Sequence, residues 1–349
     1  MLPMLENKLL QFILTLHTIY VNMVAKVALI MGWVLRKLPV FIFCLTIISM
    51  SLQGISQSRF GVGLVLSLGK ILPSRPGFWL ADQAAKCIAS LKQSEHVRTV
   101  RANQWVVANG SLSKEQLDRA VLAVYRSTAR CLFDFYHCLD RPDQISQRVE
   151  LSPEVIRVFQ DNQAGQGGIL VVAPHLSNFD LAGQALGLHG CAFQLLSYPQ
   201  PGNGYQWQNK LRSRNKIEIT PTSLNALQQA KKRLLNGGIV LTGLERPIAN
   251  SRYRPLFFGR PAPLPVAYIR LALETHVPVV VVTCLTKQDG NYLVKASEPI
   301  PMQSYPDLKK EIEQNAERVL AEAEKFIRQV PHQWSMFYPV WPEALNEVP

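Results

Sequence analysis

The stretch Gly168-Ile169-Leu170-Val171-Val172-Ala173-Pro174-His175-Leu176-Ser177-Asn178-Phe179-Asp180 decides the fold. Its apolar run from Ile169 to Ala173 is rich in β-branched residues, too short for a helix and without alternation. That is the pattern of a strand buried on both faces in a parallel or mixed sheet. The run ends abruptly in polar residues, and in open α/β sheets ligands bind at the carboxyl ends of the strands. Five residues along an ideal helix rotate by about 500°, so His175 and Asp180 are not simple helical neighbours. If a helix starts near Ser177 or Asn178, both good N-caps, Asp180 falls in its first turn and can point back at the imidazole. The expectation is a base, His175, with Asp180 as its orienting carboxylate. The competing reading is a strand-end histidine that is merely hydrogen-bonded.

Working outward, helices and strands alternate. Ser152-Pro153 opens a helix, and residues 165–168 turn the chain into the central strand. After Asp180 the pattern gives a helix to about Leu188, a strand at Ala192–Ser197 and a Gly- and Pro-rich loop at 199–204. Ser223 caps a helix that stops at Asn236-Gly237-Gly238. The strand Ile239–Thr242 follows and ends in Gly243-Leu244-Glu245-Arg246-Pro247, a second polar cluster at a strand's carboxyl end and therefore near His175. Pro265–Glu274 reads as a helix, Pro278–Leu285 as a third buried strand and Leu308–Val330 as an amphipathic helix. Upstream, Ser113 and Gln116 form a capping box for a long helix with apolar residues at Leu117, Val121, Val124 and Leu132. Pro73-Ser74-Arg75-Pro76-Gly77 reads as a turn at the domain entrance. The fold class expected is α/β: a single domain over 59–349 with a central mixed, largely parallel β-sheet flanked by helices on both faces.

The first 58 residues differ in composition. Seventeen uncharged residues lie between Lys8 and Lys26, nine between Lys26 and Arg36, and twenty-one between Lys37 and Arg59. About twenty apolar residues span a bilayer, so 1–58 is expected to be a hydrophobic membrane anchor or interfacial leader, the third run being the best transmembrane helix. Met23, Met31 and Met50 are alternative starts. The formal net charge of +12 suits anionic lipid or phosphorylated ligands. Zinc-ligand spacing, an RNA-binding aromatic signature and any block of five consecutive basic residues are lacking, which argues against nucleic acid, and no metal site is expected. The six cysteines form no C-x-x-C pair and read as reduced, buried apolar residues.

Three separated pieces agree with one another: His-x4-Asp at 175–180, Phe-Phe-Gly at 257–259 within a basic run, and Pro-x-Gln-Trp at 331–334. Together they resemble the bacterial lipid A late acyltransferases and the related phosphatidylinositol mannoside acyltransferases, within the glycerolipid acyltransferase superfamily. The resemblance implies a membrane-associated O-acyltransferase that moves a fatty acyl chain from acyl-CoA or acyl carrier protein to a hydroxyl of a lipid or glycolipid. It implies no bound cofactor, and a place on the bacterial inner membrane with the catalytic domain on the cytoplasmic side. His175 would deprotonate the hydroxyl and Asp180 would orient the ring. Asn178, Glu245, Arg246, Arg252, Arg254, Phe258 and Gly259 would bind substrate, the arginines and Arg260 meeting phosphate and Phe257 and Phe258 forming an apolar floor. Arg212, Arg214 and Lys216 would meet acidic lipid or an acidic carrier. The site departs from the family pattern, with Ser177 where a Gly is usual and Phe179 where a Trp is usual. Gly-Leu-Glu-Arg replaces the Phe-Pro-Glu-Gly of the small glycerophosphate enzymes, which favours the glycolipid branch over the lysophosphatidate branch. A non-catalytic lipid-binding paralogue and a lipid hydrolase are the alternatives, and the missing G-x-S-x-G elbow counts against a serine hydrolase.

Overall fold

A computed structural model describes residues 59–349 apart from 164 and 166. The leader expected over 1–58 lies outside the described residues. Among them, no helix is long and apolar enough to cross a membrane.

The continuous apolar runs become central strands because they are buried on both faces, and shorter or mixed runs extend the sheet on either side. They are β1 (Val149–Leu151), β2 (Ile169–Ala173), β3 (Phe193–Ser197), β4 (Ile217–Pro221), β5 (Ile239–Gly243), β8 (Val279–Thr286) and β9 (Tyr292–Ala296). They form one sheet in the order β1-β9-β8-β2-β5-β3-β4, parallel throughout except where β8 meets β9 antiparallel. Two further strands, β6 (Leu256–Phe257) and β7 (Arg260–Pro261), make a separate hairpin. The central position of β2 follows from its sequence: Leu170, Val171 and Val172 are fully buried, as are Val280 and Val281 beside them. Burying each such valine contributes about 1.5–3 kcal/mol, which a surface strand would forgo.

Alternate side chains of the strands enter two cores. On one face Leu170, Val172 and Val240 pack with helices α3 (Glu95–Val107), α9 (Leu224–Leu235), α10 (Ala267–Thr275) and α11 (Leu308–Gln329). On the other, Ile169, Val171 and Ile239 pack with α4 (Lys114–Cys138), α5 (Pro142–Arg148), α6 (Pro153–Gln163) and α7 (Phe179–Leu188). The expected single α/β domain with a largely parallel mixed sheet between helices is thus observed. The capping box at Ser113 and Gln116 is formed.

Two local expectations are corrected. Residues 73–77 do not end the preceding element in a free turn: α1 (Arg59–Ile71) leads directly into α2 (Ser74–Ser90). Pro73 is the N-cap of α2, and Pro76 is tolerated because first-turn N–H groups have no helical partner. Gly77 answers packing, since an added Cβ would sit 2.0 Å from the Phe133 ring on α4. The loop at 199–204 is short and runs into a further helix, α8 (Asn203–Arg212).

Helix α7 approaches the loop before β4 so closely that a Cβ on Gly187 would lie 1.9 Å from the Asn215 carbonyl oxygen. A backbone atom cannot retreat as a flexible side chain can. Gly187→Ala is therefore expected to destabilise the fold by about 1–3 kcal/mol, read as a lower denaturant midpoint with an unchanged slope.

Candidate active site

Strands β2 and β5 are paired in register from Ile169 opposite Ile239 to Ala173 opposite Gly243. Continued two residues past the ladder, the same register sets His175 opposite Glu245. Glu245 is fully buried, and its Oε1 accepts from His175 Nδ1 at 3.1 Å and from Trp334 Nε1 at 3.2 Å. The backbone N–H of His175 donates to the same oxygen. With Nδ1 carrying the proton toward the carboxylate, Nε2 keeps its lone pair and makes no hydrogen bond within the described residues. Burial pushes the Glu245 carboxyl up, but the attraction of His175 and the hydrogen bonds from His175 and Trp334 outweigh it and hold the group below the usual carboxylate range. Gly243 leaves room for the ring: an added Cβ would stand 3.2 Å from His175 Cε1.

The carboxylate on His175 is thus Glu245, and the expected pairing with Asp180 is corrected. Asp180 faces α8, where it meets Arg212 at 2.6 Å. The reason is local. Asn178 caps α7 by accepting from the Leu181 N–H, so Phe179 is the first helical residue and its ring stands edge-on to the imidazole at 5.1 Å. Asp180, one residue on, is rotated toward Arg212, whose guanidinium also lies over the Tyr205 ring at 5.6 Å. Burial pulls the Arg212 pKa down, but the Asp180 carboxylate outweighs it and holds the group above its already high value, so this cation is committed to joining α7 to α8.

The turn between β2 and α7 is held from behind by the C-terminal segment. The Ser177 N–H donates to the Gln333 carbonyl at 2.8 Å, and the Ser335 N–H to the His175 carbonyl at 2.8 Å. The Gln333 side chain closes on both backbone groups of Thr286 at the end of β8, at 2.8 and 3.0 Å. Ser177 itself has φ 53°, a left-handed conformation that favours glycine, and its hydroxyl is tied to Thr286 Oγ1 at 2.6 Å. That conformation explains why a Gly is usual there and how a Ser is accommodated.

Of the remaining expected substrate contacts, Arg246 lies on the cavity. It is stacked between the Tyr198 and Tyr338 rings, 3.8 and 4.0 Å from their centroids, and makes no hydrogen bond within the described residues. Asn178 has both polar ends committed, to the helix cap and to the Cys131 carbonyl at 3.0 Å. The Phe-Phe-Gly block is a hairpin turn, with Phe258 at φ 52° and Gly259 at φ 73°. Phe257 and Phe258 pack on Trp334 and Trp341, supporting the site from inside the core. Arg252 bonds the Tyr253 hydroxyl, Arg254 pairs with Glu343, and Arg260 with Glu347. These residues do not line the cavity. Arg214 pairs with Asp140.

His175 opens on a cavity of about 840 Å³ at the carboxyl edge of the sheet, within the size range of small-molecule sites. Its lining comes from both faces. On the α7 side it is mostly apolar, with Gly183, Leu186, Phe193, Ile217, Leu241 and Val282, and it also includes Gln184 and the Asp180–Arg212 pair. On the α10 side Leu196, Leu227 and Leu271 accompany Tyr268 and Thr283, whose buried hydroxyls have no hydrogen-bond partner among the described residues, as is true of Glu245 Oε2. Burial pushes the Tyr268 phenol up, so it remains a donor. Among the described residues no group of His, Cys, Asp and Glu could hold a metal ion.

A parallel α/β sheet whose edge presents a histidine–carboxylate pair to an apolar cavity is an arrangement suited to proton abstraction beside a lipid-sized ligand. Comparison gives the family. Residues 56–343 match the family described as bacterial lipid A biosynthesis acyltransferase, and the chain belongs to it. It is also similar to the phosphatidylinositol mannoside acyltransferase of Mycobacterium tuberculosis strain ATCC 25618 / H37Rv, at 28% identity over 191 residues, 53% of this chain and 57% of that protein. The same figures hold for the strain CDC 1551 / Oshkosh protein. The match thus spans a little over half the length of these curated relatives.

Trp334→Phe keeps the ring packing and removes one donor from the buried Glu245 oxygen. It is expected to cost about 1–3 kcal/mol at neutral pH. Because hydrogen bonding lowers the Glu245 pKa in the folded state, that stabilisation exists above the unfolded value and is lost as pH falls through the folded one. The deficit of the variant against the native chain, measured by denaturant unfolding, should therefore shrink on acidification below the usual carboxylate range.

Proposed function

We propose that this chain is a membrane-associated O-acyltransferase that moves a fatty acyl group from a thioester donor, acyl-CoA or acyl carrier protein, to a hydroxyl of a lipid or glycolipid acceptor. The observation that carries the reading is the His175–Glu245 pair opening onto a cavity with an apolar wall. His175 Nε2 takes the acceptor's hydroxyl proton as the oxygen attacks the thioester carbonyl. Glu245 stabilises the imidazolium that forms and holds the ring in position. The tetrahedral intermediate collapses with cleavage of the C–S bond, the ester is formed, and the departing thiolate recovers the proton from the imidazolium. No acyl-enzyme is required.

The acyl chain belongs in the apolar side under α7. The polar parts of the substrates belong at the mouth, where Arg246 offers a cation already desolvated by two tyrosine rings and Tyr268 offers a hydroxyl without a partner. Family membership and the mycobacterial relatives support a lipid or glycolipid acceptor, and the net charge of +12 suits an anionic membrane surface, which we take to be the cytoplasmic face of the inner membrane.

The test is transfer of a labelled acyl group by the purified chain to membrane lipid. His175→Ala should lose about 10²- to 10⁴-fold in turnover while still folding, with a lowered melting temperature because the buried Glu245 loses its ring partner. Glu245→Gln should lose more turnover than Asp180→Asn, whose defect should be mainly in stability. Near-normal transfer by His175→Ala would overturn the scheme. Free fatty acid released at the same rate with and without acceptor would make the chain a hydrolase. In a deletion strain, mass spectrometry should find a lipid lacking one acyl chain.

A further inference from the structure

Helix α7 carries two glycines one turn apart, and they are there for different reasons. Gly187 is demanded by packing, because the Asn215 backbone occupies the space of its Cβ. Gly183 is not. Its backbone is not among those with positive φ, and an added Cβ would meet only Ile217 Cδ1 at 3.8 Å and Phe193 Cζ at 3.9 Å, both ordinary contacts. An alanine fits there, and inside a helix alanine is the more favourable residue. Neither backbone nor packing explains the missing side chain. The cavity does, since Gly183 lines it, and a side chain at this position would project between α7 and the sheet.

Position along the cavity gives the glycine its meaning. His175 and Gly243 stand at the carboxyl edge of the sheet, while Phe193 and Ile217 open β3 and β4 in register with Ile239, the first residue of β5. Four strand residues separate the two levels, a depth of about 13 Å. The wall opposite Gly183 is therefore reached by the distal methylenes of a chain whose carbonyl is at His175.

We infer that Gly183 sets the length of acyl chain the cavity accepts, by leaving open the space between α7 and the Phe193 and Ile217 side chains. The inference rests on the apolar side of the cavity holding the acyl group. Each methylene kept out by a larger residue costs about fourfold in affinity or in kcat/KM, since it forfeits the transfer of one buried methylene.

The experiment compares the native chain with Gly183→Ala and Gly183→Leu. One arm measures acyl transfer from a graded series of straight-chain thioester donors. The other measures displacement of a fluorescent alkyl probe by free fatty acids of the same lengths. The ratio of long-donor to short-donor kcat/KM should fall by about fourfold per methylene excluded, slightly for Ala and steeply for Leu, with the same shift in the displacement series. Thermal melting of Gly183→Ala should be no lower than native, which keeps the test valid if the leucine variant fails to fold. An unchanged length profile in variants that still transfer would overturn the inference and leave the acyltransferase reading standing. Displacement that shifts with length in a chain whose native form transfers no acyl group would do the reverse.

Discussion

One carboxylate oxygen organises the site. Glu245 Oε1 receives the His175 backbone N–H, the His175 ring and the Trp334 indole. A buried charge is costly unless its hydrogen bonds are met, and removing one partner of such a pair typically costs about 3–5 kcal/mol. On the carboxylate at the end of β5 the demand is met by two separate pieces of chain: the end of β2 and the C-terminal segment. The C-terminal Gln333 and Trp334 therefore belong to the site although neither lines the cavity. The Phe257–Phe258 hairpin packs on Trp334 and so supports the same oxygen at one remove.

The cations around the site divide by what already holds them. Arg212, Arg254 and Arg260 have carboxylate partners, and Arg252 has a phenol. Exposed pairs of this kind contribute little to stability, and the one with Asp180 is set deeper, joining α7 to α8. Arg246 differs in kind. Its two faces are covered by tyrosine rings, so its charge is partly desolvated while its N–H edges have no partner in the described chain. That leaves it the best placed of the expected arginines to meet a negatively charged ligand.

Much of the fold could be read from residue order alone. Continuous β-branched runs separated by capped amphipathic helices dictate a parallel sheet covered on both faces, because no other arrangement buries strands such as Ile169–Ala173 completely. Strands β4 and β9 and helix α8 were harder to read. Ile217–Pro221, at one edge of the sheet, and Tyr292–Ala296, next to the other, mix polar and apolar residues where burial is incomplete. Helix α8 follows a run of Pro and Gly that marks a loop just as well. The importance of His175 was legible from its place after a buried strand. So was the nearness of Glu245.

The sequence by itself even contained the register of the pair. Gly-Gly-Ile opens both β2 and β5, and in each case six residues separate that Gly-Gly from His175 or Glu245. What it did not contain was the choice between two carboxylates. Asp180 is five residues from His175 and Glu245 is seventy, and spacing along the chain favours the nearer. Parallel pairing of β2 with β5 reverses that preference, because strand register fixes lateral neighbours regardless of the length of the intervening chain, while the Asn178 cap turns Asp180 toward Arg212. Likewise, composition placed arginines near the site, but only the packed structure decided which were already spent. The local pattern determined the elements; the carboxylate that serves His175 was decided by tertiary contact, since a buried charge goes where its hydrogen bonds can be satisfied.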